Sequence, residues 1–261
     1  MFRAAVGLAL AACVAMVARR TRSLTDGGAV AATVIGCAAV AAGWSWAAIL
    51  IVYFVSSTLL SRAGRAEKER RTTSMVAKGG ARDAVQVVAN GGVFAAAAIA
   101  MLIWPDIRWI ALGAGSLAAS AADTWATEIG TLTGGEPRSI LTAQPVRPGT
   151  SGGITLIGSI AAGAGAVGTT LVVLGLGWSA YLAAHVLIGG VAGAFLDSVL
   201  GATLQARRWC DACEGETERT VHDCGTATRP LRGMVWLNND AVNFLSSAAG
   251  GLLAAVLTNH V

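Results

Sequence analysis

Eight long apolar stretches limit what this chain can fold into. A membrane-spanning helix needs about 20 mostly apolar residues to cross a hydrocarbon core of roughly 30 Å. Hydrophobic residues make up 54% of the 261 residues and charged residues only 13%, against about 25% in an ordinary soluble domain. This composition argues against a soluble enzyme, a nucleic-acid-binding protein and a disordered chain, and it predicts an all-α polytopic transmembrane bundle. The predicted spans cover residues 3–18, 27–43, 44–61, 84–104, 107–123, 153–174, 179–204 and 239–258.

The distribution of basic residues predicts the topology. With eight spans, alternate connections fall on one face, and these hold 17 of the 19 Lys and Arg residues, leaving only Arg3 and Arg108 opposite. By the positive-inside rule that face is cytoplasmic, so both termini lie outside and the protein is integral to the cell (plasma) membrane. Arg19 and Arg20 follow the first apolar run where a signal peptide would carry a small-residue cleavage site, so that run is expected to be a helix. Residues 1–261 are interpreted as one membrane domain, with a cytoplasmic insertion at 205–238.

Polar blocks recur at the predicted cytoplasmic ends of the spans. Ionisable groups are costly in a membrane, so they are candidates for function. In the first block Asp83 and Asn90 share one helix face with Gln86, and Lys78 and Arg82 precede the helix. A helix start with snorkelling cations would explain the same pattern.

Carboxylates in three further blocks predict a divalent-cation site. Asp123 and Glu128 lie close together at the end of an apolar span, and Mg²⁺ typically binds one or two carboxylates together with substrate phosphates. Asp197 lies about two turns inside its helix, at a depth where a carboxylate favours a metal or a cation. Asp240 opens the last helix. Solvated acids at helix ends remain the structural alternative.

A glycine-rich loop before the sixth predicted span is a candidate phosphate site. Backbone N–H groups and the helix dipole could face a phosphate there, and Arg138 and Arg147 lie upstream. The loop has no Gly-Lys-Ser/Thr sequence and is not a Walker A motif. A capped Gly-rich connection with no ligand is the alternative. The loop residues are Gly149, Thr150, Ser151, Gly152 and Gly153.

Three cysteines and a histidine in the 205–238 insertion predict a zinc site. Cys210 and Cys213 are followed by His222 and Cys224, and three thiolates with one imidazole suit tetrahedral structural Zn²⁺. A cytoplasmic location argues against a disulfide. A closed site of this kind has no open coordination position, so it is expected to hold the loop together. Free thiols are the alternative.

Together these blocks are typical of phosphoryl or nucleotidyl transfer. Such reactions need bound cations, positive charge and phosphate cradles but little covalent chemistry from the protein. A phosphate monoester acceptor, largely ionised at pH 7, would need no general base. A transporter or flippase of phosphorylated lipids is an alternative from another class, but a transporter should keep its polar groups near the bilayer midplane. Whether the chain forms a homo-oligomer is left open.

The same blocks resemble the phytyl-phosphate kinase and transmembrane protein 19 family over nearly the whole chain. The block around Asp123 is the most specific. The matching segments are Gly80-Ala81-Arg82-Asp83 with Gln86 and Ala89-Asn90-Gly91-Gly92, Ala122-Asp123-Thr124-Trp125-Ala126-Thr127-Glu128-Ile129-Gly130, Pro148-Gly149-Thr150-Ser151-Gly152-Gly153, Asp197-Ser198 with Gly201-Ala202 and Gln205, and Asn239-Asp240 with Val242-Asn243.

The resemblance implies an integral membrane kinase. Plant members convert phytyl phosphate to phytyl diphosphate with CTP as donor, and a distant kinship with dolichol and phytol kinases is also suggested. For this chain it implies CTP and an isoprenoid monophosphate as partners within membrane lipid, and no nucleic acid. Cytidylyl transfer to a lipid phosphate shares every motif. The expected Mg²⁺ ligands are Asp123, Glu128, Asp197 and Asp240. The expected catalytic residues are Asp123, Glu128, Asp197, Arg82 and Asp83. The expected phosphate or nucleotide ligands are Lys78, Arg138, Arg147, Asn90, Asn239, Asn243 and the loop Gly149–Gly153.

Overall fold

A computed structural model describes residues 2–258 and confirms a helical bundle; residues 1 and 259–261 of the predicted domain lie outside this description. Eight of the helices coincide with the predicted spans, and the short helix α4 connects α3 to α5. The helices are α1 (Phe2–Arg20), α2 (Asp26–Ala42), α3 (Trp44–Arg62), α4 (Arg65–Thr72), α5 (Ala84–Ile103), α6 (Ile107–Thr133), α7 (Leu156–Gly175), α8 (Ala180–Thr203) and α9 (Asn239–Thr258).

Within the described residues, α3, α5, α7, α8 and α9 are long and apolar enough to cross a membrane, and α2 is a shorter apolar helix. Large apolar side chains on the outside of the bundle support a lipid environment, with Leu156 78% and Phe195 62% exposed. An apolar surface of this kind on a soluble protein would drive association.

Two structured connections lie at the polar end of the bundle, which we define as the end where α5, α7 and α9 begin and where α6 and α8 end. Between α6 and α7, strands β1 (Arg138–Ser139) and β2 (Gly153–Ile154) form an antiparallel pair. Between α8 and α9, strands β3 (Arg207–Cys210), β4 (Gly215–Thr217) and β5 (Arg229–Arg232) form a sheet in the order β4-β3-β5.

Helix α6 is the central element and packs against α3, α5, α7, α8 and α9. Its residues 113–122 are small, apart from Leu117, and all are buried. Helix α8 presents a stripe of buried small residues that includes Gly189 and Gly193. A Cβ added at Gly193 would contact Ala119 of α6 and lie 2.8 Å from the Ser246 carbonyl oxygen of α9. Small residues permit this close approach of three helices in a membrane, and it places their polar ends beside one another.

Helix α6 runs ten residues beyond its predicted span, to Thr133. Asp123 and Glu128 therefore lie within the helix and not at its end, as the span 107–123 had implied. The Gly134 that ends the helix has φ +72°, in the left-handed region that glycine adopts readily. The helix of the predicted span 153–174 begins later than predicted. Residues 153–154 pair in β2, and the helix starts at Leu156, capped by the Thr155 hydroxyl.

Candidate functional site

The carboxyl groups of Asp123 and Asp197 meet where α6 and α8 approach each other, within hydrogen-bonding reach. Both residues are partly buried. Asp197 accepts a hydrogen bond from the Ser246 hydroxyl of α9 at 3.0 Å. With its amide oriented to donate, Asn243 contacts the same carboxylate oxygen at 3.1 Å. We call these four residues the acidic centre.

The two carboxylates of the acidic centre are not paired with a basic side chain in the described part of the chain. Among residues 2–258, neither Asp123 nor Asp197 forms an ion pair with a Lys or Arg side chain. The donors that reach Asp197 from α9 are neutral. Two carboxylates in contact repel each other, and burial weakens the screening by water. This arrangement therefore favours a shared proton or a bound cation.

Lys78 joins two of the predicted site residues. Its ammonium lies 2.8 Å from Asp83 and 2.5 Å from Asp240, which is buried at the start of α9. Although partial burial acts in the opposite direction, these hydrogen bonds raise the pKa of Lys78. Asp83 also caps α5, because its carboxylate accepts from the Gln86 N–H at 2.9 Å while Gln86 accepts from the Asp83 N–H at 3.1 Å. The helix-start interpretation of this block thus accounts for Asp83 and Gln86.

Glu128 forms an ion pair with Lys68 of α4, which is buried. Its other oxygen accepts from the Ser61 hydroxyl at 2.5 Å, and Arg82 donates to Ser61 Oγ at 3.1 Å. Both carboxylate oxygens of Glu128 therefore have protein partners. Glu128 remains near enough to Asp123 for their charges to interact.

The glycine-rich loop packs on the end of α8. Gly149 and Gly152 have φ +82° and +76°, and a Cβ at Gly152 would lie 2.6 Å from the Ala202 backbone nitrogen. Both the backbone conformation and the contact therefore require glycine at position 152. The Thr150 N–H donates to the Arg147 carbonyl just before the loop, and the Gly153 N–H donates to the Thr150 carbonyl.

Other predicted phosphate ligands lie apart from the acidic centre or bond to their own helix. Arg138 is exposed and donates to the Ala143 carbonyl of its own turn at 2.9 Å. Arg147 is exposed, with its guanidinium next to Gly215 of the insertion. Asn90 donates to the Gln86 carbonyl of its own helix at 2.9 Å. Asn239 is exposed at the start of α9.

Glu218 of the insertion lies beside this site, although no motif in the sequence indicated it. The Ser151 hydroxyl donates to its carboxylate, and its charge acts on Asp197. Burial raises the pKa of Glu218 to about 7, against the opposing effects of the Ser151 hydroxyl and the Arg207 guanidinium. Lys68, Ser246 and Arg207 were likewise missed, because their partners are distant in sequence.

The ligand atoms of Cys210, Cys213, His222 and Cys224 all lie within 4.8 Å of one another. The sulfur atoms of Cys210 and Cys224 are 3.6 Å apart, a separation that fits two thiolates bonded to one tetrahedral Zn²⁺ at about 2.3 Å each. The His222 Nδ1 atom is buried without a hydrogen-bond partner. These four side chains could hold a metal such as zinc, as the spacing predicted.

A family model for integral membrane proteins, DUF92, matches residues 9–251. The chain belongs to this family. The matched range contains every predicted site residue, the acidic centre and the Cys/His cluster.

Curated relatives of this DUF92 chain come from a plant, an archaeon and a cyanobacterium. It is 29% identical to Protein PGR of Arabidopsis thaliana, over 100% of this chain and 98% of the relative. It is 26% identical to the uncharacterized membrane protein MJ0933 of Methanocaldococcus jannaschii, over 98% and 95%, and 29% identical to the uncharacterized membrane protein sll0875 of Synechocystis, over 82% and 74%. No solved structure matches the chain.

Proposed function

We propose that this DUF92 protein is a CTP-dependent kinase that converts an isoprenoid monophosphate to its diphosphate at the cytoplasmic face of the membrane. The observation that carries the proposal is the contact between Asp123 and Asp197, two partly buried carboxylates that pair with no Lys or Arg side chain among residues 2–258. Because Mg²⁺ typically binds one or two carboxylates and completes its shell with phosphate oxygens and water, the acidic centre suits a Mg²⁺–nucleotide complex.

In this proposal the residues around the acidic centre have distinct roles. Asp123 and Asp197 hold Mg²⁺, which neutralises charge on the nucleotide phosphates when bound. Ser246 and Asn243 orient Asp197 through the hydrogen bonds described above. The glycine-rich loop, packed on the end of α8, approaches the triphosphate with its backbone.

Arg82 and Lys78 supply positive charge for the donor and acceptor phosphates. Asp83 and Asp240 each bind Lys78. In the proposal they hold this ammonium in place and are not the main metal ligands. Glu128 has the corresponding role for Lys68. The isoprenoid tail lies among the apolar side chains on the outside of the bundle, in lipid.

The membrane orientation is part of the proposal. The polar end carries the Lys and Arg residues of three long connections, which the positive-inside rule assigns to the cytoplasm. A soluble nucleotide and a reducing environment for the Cys/His cluster both require that side. The cluster is proposed to hold structural Zn²⁺, and both termini to lie outside.

The test uses purified protein in detergent with Mg²⁺ and CTP labelled at either the α or the γ phosphorus, with phytyl, farnesyl and long polyprenyl phosphates and the free alcohols as acceptors. The γ label should enter a prenyl diphosphate. Entry of the α label would instead establish cytidylyl transfer. Binding of prenyl phosphates with neither label transferred would refute the kinase and favour a transporter.

Matched variants assign the reaction to the acidic centre. Asp123→Asn and Asp197→Asn should each abolish transfer, whereas Asp211→Asn removes an acid of the insertion that is exposed and pairs with exposed Arg229 at 3.0 Å and should leave transfer unchanged. Retained activity in both acidic-centre variants would exclude these residues as metal ligands.

A further inference from the structure

The insertion contains a β-hairpin whose two ends carry different functional groups. Strands β3 and β4 pair with Arg208 opposite Thr217 and Cys210 opposite Gly215. The turn end carries Cys210 and Cys213, two members of the Cys/His cluster. The open end carries Arg207, the first residue of β3, and Glu218, which directly follows β4. Three residues of extended strand separate the two ends, a distance of about 10 Å.

The open end of the hairpin holds Ser151 at two points. Glu218 accepts a hydrogen bond from the Ser151 hydroxyl. Arg207, which is buried, donates from Nη2 to the Ser151 carbonyl oxygen at 2.6 Å and from Nη1 to Glu216 at 3.1 Å. Both the side chain and the backbone of this loop residue are therefore bonded to the insertion.

The hairpin is also fixed against the rest of the protein on its other side. The Glu218 N–H donates to the Met75 carbonyl at 2.9 Å, and Arg219 Nε donates to the Val76 carbonyl at 2.9 Å. Met75 is buried beneath the insertion. The open end is thus seated between the α4–α5 connection and the glycine-rich loop.

The glycine-rich loop needs such a contact to keep one conformation. Glycine has the largest backbone freedom of any residue, and two of the five loop residues are glycines in the left-handed region. Ser151 lies between them and offers a hydroxyl for bonding outside the loop.

We propose that Glu218 is a positioning residue that couples the Cys/His cluster to the glycine-rich loop, so that a metal bound at the cluster fixes the loop beside the acidic centre. The metal holds the turn of the hairpin, which keeps β3 and β4 in register, and that register keeps Arg207 and Glu218 on Ser151. The functional meaning of this coupling rests on the proposed kinase activity, but the coupling itself is a property of the folded chain.

The test is hydrogen–deuterium exchange of the 146–153 segment, measured by mass spectrometry on the zinc-loaded, full-length protein in detergent. Glu218→Ala should speed exchange of this segment about tenfold, since the hydrogen bond from the Ser151 hydroxyl is lost. Ser151→Ala should speed exchange to a similar extent, and its effect should not add to that of Glu218→Ala. Glu218→Gln keeps an acceptor and should restore protection, and Glu214→Ala, at an exposed position of the same hairpin turn, should behave as the wild type. Removing zinc with a chelator should speed exchange of the same segment.

Zinc content and activity separate the outcomes. Glu218→Ala should keep its zinc and should raise the KM for CTP more than it lowers kcat. If Glu218→Ala exchanges no faster than Glu214→Ala, or if the segment stays protected after zinc removal, the coupling is wrong. Because exchange needs no substrate, a protein that responds in this way but transfers no phosphate would refute the kinase alone. Transfer that depends on Asp123, with an unresponsive loop, would refute the coupling alone.

Discussion

The polar end of the bundle holds buried and partly buried acids with two kinds of partner. Glu128 and Asp240 each lie against a lysine, Lys68 and Lys78 respectively. Asp123 and Asp197 lie against each other, with neutral donors from α9 at Asp197. A carboxylate paired with a lysine already has a counter-charge, whereas a pair of carboxylates without a lysine can bind an external cation. The comparison therefore separates acids that are paired with a lysine from acids that are not.

The largest expected effect comes from the pair without a lysine. Asp123→Asn or Asp197→Asn should lower prenyl-phosphate kinase activity about 1,000-fold or more, because several kcal/mol of electrostatic stabilisation of the transition state is lost. The Tm in detergent should stay the same or rise, since repulsion between two carboxylates is removed. A fall in Tm of the size expected for a broken ion pair would show that these acids stabilise the fold, and the distinction from Glu128 and Asp240 would then be wrong.

The next effect concerns the Lys68–Glu128 pair. Lys68→Met leaves a largely buried carboxylate without its cation and should lower the free energy of unfolding by about 3 kcal/mol. The exposed pair Arg65–Glu69 on the same helix is the control, and Arg65→Gln should cost about 0.5 kcal/mol or less.

The double variant Lys68→Met, Glu128→Gln sharpens this result. It should recover most of the lost stability in chemical denaturation and keep measurable activity, because no unpaired charge remains. Complete loss of activity in the double variant would instead support Glu128 as a metal ligand, as the sequence predicted.

A smaller effect is expected from the close packing that brings the acids together. Gly193→Ala should lower the free energy of unfolding by about 2 kcal/mol, because the new methyl group meets Ala119 and the Ser246 carbonyl. Activity should fall with it, since the same contact sets the distance between Asp197 and Asp123. Gly168 on α7 has no neighbour within 4 Å of an added Cβ, so Gly168→Ala should leave both the Tm and activity unchanged or slightly raise the Tm. Equal behaviour of the two variants in thermal unfolding would contradict this packing.

A further effect is a pH dependence at Glu218. Burial raises its pKa from the usual 4.5 to about 7 in the folded protein. A raised pKa in the folded state gives stability that is fully present below pH 4.5 and is lost as the pH rises through 7. Glu218→Gln has no such loss, so its Tm relative to the wild type should increase between pH 5 and pH 8. A constant difference in Tm across this range would show that Glu218 keeps its ordinary pKa.

The long apolar helices were predictable because a membrane demands them, and the residues of each helix are contiguous in sequence. The cysteine spacing likewise placed Cys210, Cys213, His222 and Cys224 together, since all four lie within one connection. The partners that define the site were not predictable in this way. Lys68 is 60 residues from Glu128, Ser246 is 49 from Asp197 and Ser151 is 67 from Glu218.

The amino-acid sequence is enough to predict a polytopic helical bundle, its polar end and the residue types available there. Local composition decides these features, because burial in lipid and charge at a helix end depend on a residue and its near neighbours. Tertiary contacts determine which acids have a lysine and which do not. That choice depends on how closely α6, α8 and α9 approach through their small residues, and on where the insertion seats Glu218. Both are contacts between distant segments, and no periodicity within one segment encodes them.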